Sequence, residues 1–368
     1  MKIKIQSQTL KKALDSVSRI AAPKVSNNAY AGILLSAYKD NLEIQATDYQ
    51  MSIRIQVPGE VEESGEVLVM TSYFPELIKK LSGEEIILST NDKNMLHIQA
   101  GRSENEVVIG IANEFSRLEV LDSTQGITLP SDQIRDLYQQ VRFAVGNEGL
   151  RPIYSGILLE AEGNSARMVA TDTYRLACKE VSLDHTVDKK ISFIIPEKVL
   201  AETVRLLPSE ESVPVSLNWY RNYISFSFAN IYFVSNLLEG NFPDYRKVFP
   251  QNFDAKATLN RKELTAALDR ADLIARNMTY RTVNMKWSDK QLKLSVNSSD
   301  MGSIEDTIPC EYQGDDLEIV FNCSYLLDIL KHSTGDNVTM NLLKNGPMLV
   351  EQEFDTLYKY LVTPMRGN

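Results

Sequence analysis

Gly32-Ile33-Leu34-Leu35, followed by Ala46-Thr47-Asp48, returns 124 residues later as Gly156-Ile157-Leu158-Leu159 followed by Ala170-Thr171-Asp172. Two matches at one shared offset point to an internal duplication. A helical stripe precedes each copy: Leu10, Leu14 and Val17 in the first, Ile134, Leu137 and Val141 in the second. A fainter third copy has the same stripe at Leu264, Leu268 and Ala271, then two strands at Val283–Trp287 and Leu292–Leu294, with Ser299-Asp300 where Thr-Asp stood before. Each copy carries a second leucine-faced helix about 65 residues after the first, over 72–82, 197–207 and 324–333, each entered from a short apolar strand.

Between the helices, Met51, Ile53, Ile55 and Val57 alternate with polar residues, as a half-buried antiparallel strand requires. The expected fold class is α+β: three repeated modules, each with two helices over antiparallel sheets. The polar, turn-rich stretches Asp122–Gly126 and Gln251–Lys256 set boundaries at 1–123, 124–251 and 252–368.

The 368-residue chain suits two to four domains, and 43% hydrophobic with 24% charged residues describes a globular protein. The Met1–Gln6 segment has no apolar core of signal-peptide length, and no run of about 18 apolar residues predicts a membrane span. Cys178, Cys310 and Cys323, sparse and without close pairing, fit a reducing cytoplasm.

The net charge of −10 argues against nucleic acid only if it is evenly spread. It is not: the six expected helices hold 14 basic and 10 acidic residues, a sum of +4, which leaves −14 on the rest of the chain. A helical face that tolerates phosphate beside sheets that repel it is one reading; ordinary solvated helix faces are the other.

The sequence offers little chemistry. His97, His185 and His332 stand far apart in sequence, and no His/Cys spacing fits a metal site. There is no G-x-S-x-G, Walker loop, G-x-G-x-x-G or H-E-x-x-H. Thr171-Asp172 has a twin in Thr47-Asp48, so it reads as a structural turn whose Asp bonds nearby amides, and not as a catalytic dyad. The expectation is a protein that is not an enzyme and needs no cofactor or metal.

Four segments carry a family resemblance: Ala170-Thr171-Asp172-Thr173-Tyr174-Arg175-Leu176-Ala177, Gly240-Asn241-Phe242-Pro243-Asp244-Tyr245-Arg246-Lys247-Val248, Phe321-Asn322-Cys323-Ser324-Tyr325-Leu326-Leu327-Asp328, and the tail Pro364-Met365-Arg366. With the triple repeat, they resemble the sliding-clamp family, the beta subunit of bacterial DNA polymerase III, along the whole chain. The resemblance implies a non-catalytic head-to-tail homodimer, a six-module ring with twelve helices lining its hole. It implies encircled double-stranded DNA, held without sequence preference, and partners (replicative polymerase, clamp loader, repair proteins) that dock through short peptides. A specialised clamp paralogue and a repeat-built ligand-binding protein or enzyme are the alternatives.

Carried over by motif, the resemblance implies a peptide pocket of Thr171, Thr173, Tyr174, Arg175, Leu176, Pro243, Lys247, Val248, Asn322, Tyr325, Pro347, Met348, Thr363, Pro364, Met365 and Arg366. Leu176, Pro243, Val248 and Met365 would be apolar walls, and Arg175, Asn322 and Tyr325 would hydrogen-bond a peptide backbone. Lys24, Arg151, Lys198, Arg205, Tyr280 and Arg281 would approach DNA, and Arg102, Val107, Ile109, Leu273 and Ile274 would form the dimer joint. The chain departs from the family where Thr363 stands for a common Met, where Gly367-Asn368 follow the tail, and where the edge segment Arg102–Val107 carries two acids and no aromatic.

Overall fold

A computed structural model describes residues 1–21, 32–91, 94–121, 125–147, 149 and 151–365. Among them are the six expected helices: α1 (Ser7–Ser18), α2 (Phe74–Lys80), α3 (Ser131–Val141), α4 (Glu197–Leu206), α5 (Arg261–Ala275) and α6 (Cys323–His332). The stripes are buried as their spacing requires, with Leu10, Leu14 and Val17 of α1 and Leu264, Leu268 and Ala271 of α5 at 0–1% exposure. Asn260 and Asn322 start α5 and α6 by accepting two backbone amides each on the side-chain oxygen, satisfying donors that a first helical turn leaves open. No helix of the described residues is long and apolar enough to cross a membrane.

The chain divides into two compact units, Met1–Asp132 with Ala201–Leu237, and Gln133–Leu200 with Leu238–Asn368. The first holds a five-stranded sheet, in order Glu60–Glu63, Lys2–Gln6, Glu85–Thr90, Met95–Ala100 and Ser103–Val108, which among the described residues ends on an open edge at Ser103–Val108. It also holds an eight-stranded antiparallel sheet. Four of its strands (33–38, 41–47, 51–58, 65–69) come from the first repeat and four (126–130, 214–220, 223–228, 231–236) from the second. They meet where Ile53 of Met51–Pro58 pairs with Phe233 of Ile231–Asn236.

The second unit holds a ten-stranded sheet. Gly156–Thr171 and Arg175–Pro196 of the second repeat continue into strands of the third, with Leu176 opposite Leu361. Sheets therefore run across the repeat boundaries drawn from sequence. Repeats count copies of a pattern, whereas compact units count contacts, and strand pairing across a boundary separates the two. Buried side chains from each sheet's inner face, among them Phe226, Phe233, Tyr358 and Tyr360, fill the cores.

Candidate functional site

Thr171 and Asp172 build a turn. The Thr171 hydroxyl donates to the Arg175 carbonyl (2.6 Å) and accepts the Thr173 amide (3.1 Å). One Asp172 carboxylate oxygen accepts the Tyr174 and Arg175 amides at 3.0 and 2.9 Å. Thr173 sits at φ +79°, a left-handed conformation the four bonds hold in place. This is the structural role the twin at Thr47-Asp48 suggests.

The turn fixes Arg175. Its Nε donates to Asp172 (3.0 Å), its Nη1 to Asp328 (2.6 Å), and its guanidinium lies 4.3 Å from the Tyr325 ring centre. Burial opposes the charge, but Tyr360, Asp328 and Asp172 around it raise its pKa further.

Beside the turn lies a cavity of about 440 Å³. Thr171, Thr173, Tyr174, Arg175 and Leu176 form one side, Pro243, Tyr245 and Val248 another, and Tyr154, Pro347, Leu361 and Thr363 complete it. Three of its lining residues, Leu176, Tyr245 and Leu361, belong to one buried apolar cluster that also holds Val169 and Cys178. Burial among them pushes the Cys178 thiol up to about 11, so it is a packing group and not a nucleophile. A second cavity of about 710 Å³ shares Tyr154, Thr173, Tyr174 and Arg175 and extends to Val145, Gly146, Asn147, Arg151, Asp172 and Tyr325.

The Pro243–Val248 wall is anchored from below. Glu160, 6% exposed, accepts the Tyr245 hydroxyl (2.7 Å) and an Arg246 N–H (2.6 Å). Burial alone would raise its pKa; those two bonds and the charges of Arg246 and Lys190 leave it below the ordinary carboxylate value.

The structure thus gathers nine of the expected pocket residues around one cavity, Thr171, Thr173, Tyr174, Arg175, Leu176, Pro243, Val248, Pro347 and Thr363, with Tyr325 in the adjoining one. The other described ones line neither cavity. Lys247 points to solvent and pairs with Asp244 at 3.0 Å. Asn322 is spent on the α6 cap and the Tyr280 carbonyl. Met348 is fully buried. Pro364 is half-buried, and Met365 donates its amide to Val320 (2.8 Å). Arg366 and Lys24 lie outside the described residues. Thr363 turns its hydroxyl and its amide to the Tyr174 carbonyl, both at 2.9 Å, which ties the tail to the turn. Tyr154, Tyr245 and Leu361 line the cavity and were not singled out from sequence, although Tyr245 stands inside the Phe242–Val248 segment.

Of the residues expected to approach DNA, Arg151 lines the larger cavity, Lys198 is exposed on the first turn of α4, and Tyr280 is exposed. Arg205 is held by Glu202, and Arg281 by both oxygens of Asp272 at 2.6 Å. Of the joint residues, exposed Arg102 and half-buried Ile109 flank the open edge strand. Val107 and Ile274, at 6% exposure, pack into their own sheet and helix, while Val108 (63%) and Leu273 (50%) face outward.

Comparison with known proteins places these features. Three domain models match in succession: DNA polymerase III beta subunit, N-terminal domain, over 1–119, its central domain over 128–244, and its C-terminal domain over 246–366. A beta sliding clamp of Staphylococcus epidermidis is 27% identical over 363 residues, 96% of each chain. The DNA polymerase sliding clamp structure of Bacillus subtilis superposes over the full length of both chains with TM-score 0.95 and 26% identity. That of a Pseudomonas aeruginosa sliding clamp bound to griselimycin does so with TM-score 0.94 and 28% identity.

Proposed function

The chain belongs to the DNA polymerase III beta-subunit family, and we propose that it works as a sliding clamp in the bacterial cytoplasm. Two copies close head to tail into a ring around duplex DNA, and the ring tethers the replicative polymerase and repair proteins without catalysing a reaction. The observation that carries this reading is the succession of three matched domains, over 1–119, 128–244 and 246–366. The modules are taken as 1–123, 124–251 and 252–368.

Partners dock, in this reading, by inserting apolar side chains of a short peptide into the cavity over Leu176, Val248 and Leu361. Arg175 acts from the cavity's side wall, and Asn322 acts from behind, as a positioning group. Griselimycin, the ligand of the P. aeruginosa neighbour, serves as the probe of that cavity. At the joint, the open Ser103–Val108 edge meets the third module of the partner near Leu273. Val108 and Leu273 supply the apolar contact, because both are exposed where Val107 and Ile274 are not.

A helix excess of +4 on an acidic chain is too small for tight direct affinity, which comes from counterion release at each phosphate contact. Retention is therefore topological. The full chain, loaded by a clamp loader on nicked circular DNA, stays bound at a salt concentration that abolishes its complex with short linear duplex, and linearising the circle releases it. Equal release from intact and cut circles would overturn the reading. Sedimentation at micromolar concentration gives twice the chain mass.

A further inference from the structure

The Thr171–Arg175 turn has a structural twin at the other junction between repeats. Thr47 Oγ1 donates to the Met51 carbonyl (3.0 Å), and Asp48 accepts the Gln50 and Met51 amides at 3.1 and 2.8 Å. Tyr49 stands at φ +76° against +79° for Thr173. The next repeat is tied on in the same way: the Asn236 amide donates to the Gln50 carbonyl (3.1 Å), as that of Thr363 does to Tyr174 (2.9 Å). Strand register agrees too, with Ser52 opposite Val234 and Arg54 opposite Tyr232, where Leu176 faces Leu361 and Cys178 faces Lys359.

What differs is the face of the sheet beneath the turn. At the offset of 124, Val169, Leu176 and Cys178 correspond to Gln45, Ser52 and Arg54. Ser52 donates to the Thr47 hydroxyl (2.7 Å), and Gln45 and Arg54 meet at Glu43. Gln45 donates to Glu43 (2.6 Å) and accepts the Leu118 amide (3.0 Å). Arg54 lies 3.8 Å from Glu43 and 5.1 Å from the centre of the Tyr232 ring, whose hydroxyl accepts the Leu121 amide at 2.8 Å. An apolar ligand entering here would cover an ion pair and an amide and replace none of their hydrogen bonds with water, a cost that apolar contact does not recover. At the second junction the matching sheet face is hydrocarbon, and Leu176 and Leu361 from it line the cavity.

We propose that the chain contains two copies of one docking frame, and that Gln45, Ser52 and the Arg54–Glu43 pair keep the first copy closed to apolar ligands, so that each chain offers one site and not two. These are specificity-determining residues for the docking reading above, on which the inference rests.

The test is titration of the full chain with griselimycin. Wild type takes one equivalent per chain, and Leu176→Asp takes none; binding that survives Leu176→Asp defeats the docking reading itself and leaves the present inference without a premise. In the Leu176→Asp background, the substitutions Glu43→Gln, Gln45→Val, Ser52→Leu and Arg54→Met open the first junction. They restore one equivalent with a dissociation constant within about thirtyfold of wild type, and slow hydrogen exchange at the Gln50 and Met51 amides. A folded variant that binds nothing overturns the inference. Should that variant not fold, Gln45→Val with Ser52→Leu in the same background leaves the Arg54–Glu43 pair intact. It restores weaker but saturable binding, and its failure to do so counts equally against the inference.

Discussion

The turn at 47–51 and the turn at 171–175 are held by the same bonds, yet one stands over Gln45, Ser52 and Arg54 and the other over Val169, Leu176 and Cys178. The backbone frame is the same, while the face of the strands beneath it is hydrogen-bonded and polar at the first turn and hydrocarbon at the second. A shared turn therefore does not announce a shared role. The face the turn overlooks decides whether water or a ligand is the better neighbour.

Matched substitutions break or sharpen this contrast. The largest effect is at the floor. Leu176→Asp puts a charge under the ligand and weakens griselimycin binding by at least about a hundredfold, some 3 kcal/mol, while Ser52→Asp at the twin position changes it less than about twofold. Equal losses would mean that the first junction takes part in binding. Next is the turn itself. Asp48→Ala and Asp172→Ala each remove the acceptor of two amides, and hydrogen exchange shows local opening made easier by about 1–2 kcal/mol at both. Only Asp172→Ala, which also removes the acceptor of the Arg175 Nε, lowers ligand affinity.

A third contrast lies in how the segment after each junction is stapled down. Arg117 makes two bonds to Glu66 on one strand, at 2.7 and 2.6 Å, whereas Arg246 bonds Glu160 on another. Both carboxylates are held below their ordinary value of 4.5, Glu66 chiefly by the hydrogen bond from Arg117, and Glu160 by Tyr245 and Arg246 against the opposing effect of burial. A depressed carboxylate contributes stability that is present above the unfolded value and lost as pH falls through the folded one. Acidification below about 4.5 therefore releases both staples, but only release of Glu160 moves the Tyr245 wall. Ligand affinity falls in that acid range, and Glu160→Gln flattens the fall while Glu66→Gln leaves it. The smallest effect is at φ. Tyr49→Gly and Thr173→Gly relieve similar left-handed strain and change unfolding by less than about 1 kcal/mol each; a larger difference between them would show that the two turns are not equivalent.

Much of this was legible in the residues. Leucine stripes locate helices because burial at a 3.6-residue period leaves few alternatives, and Thr-Asp signals a turn because its side chains bond only locally. The pocket's near side was readable because it is contiguous in sequence. Leu361, Tyr154 and Tyr245 were not, since each reaches the cavity through strand pairing or a linker path that periodicity does not encode. The joint shows a signal that was present but unused. In Ser103–Val108, Glu104 and Glu106 are exposed, so Val108 shares their outward face and Val107 must turn inward. Arg281 could not have been read as an arginine already taken, because Asp272 reaches it across the end of α5.

The continuity of sheets across repeats has a further consequence for how such a chain can be divided or recombined. The unit that repeats in sequence shares a sheet with its neighbour. Cutting near residue 123 would strip four strands from the eight-stranded sheet and leave the Met51–Pro58 strand with bare amides and carbonyls. A fragment so made meets its own kind edge to edge and aggregates. Inheritance by copying whole repeats is therefore easy only within one polypeptide, where the next copy arrives already attached to cover the edge of the last.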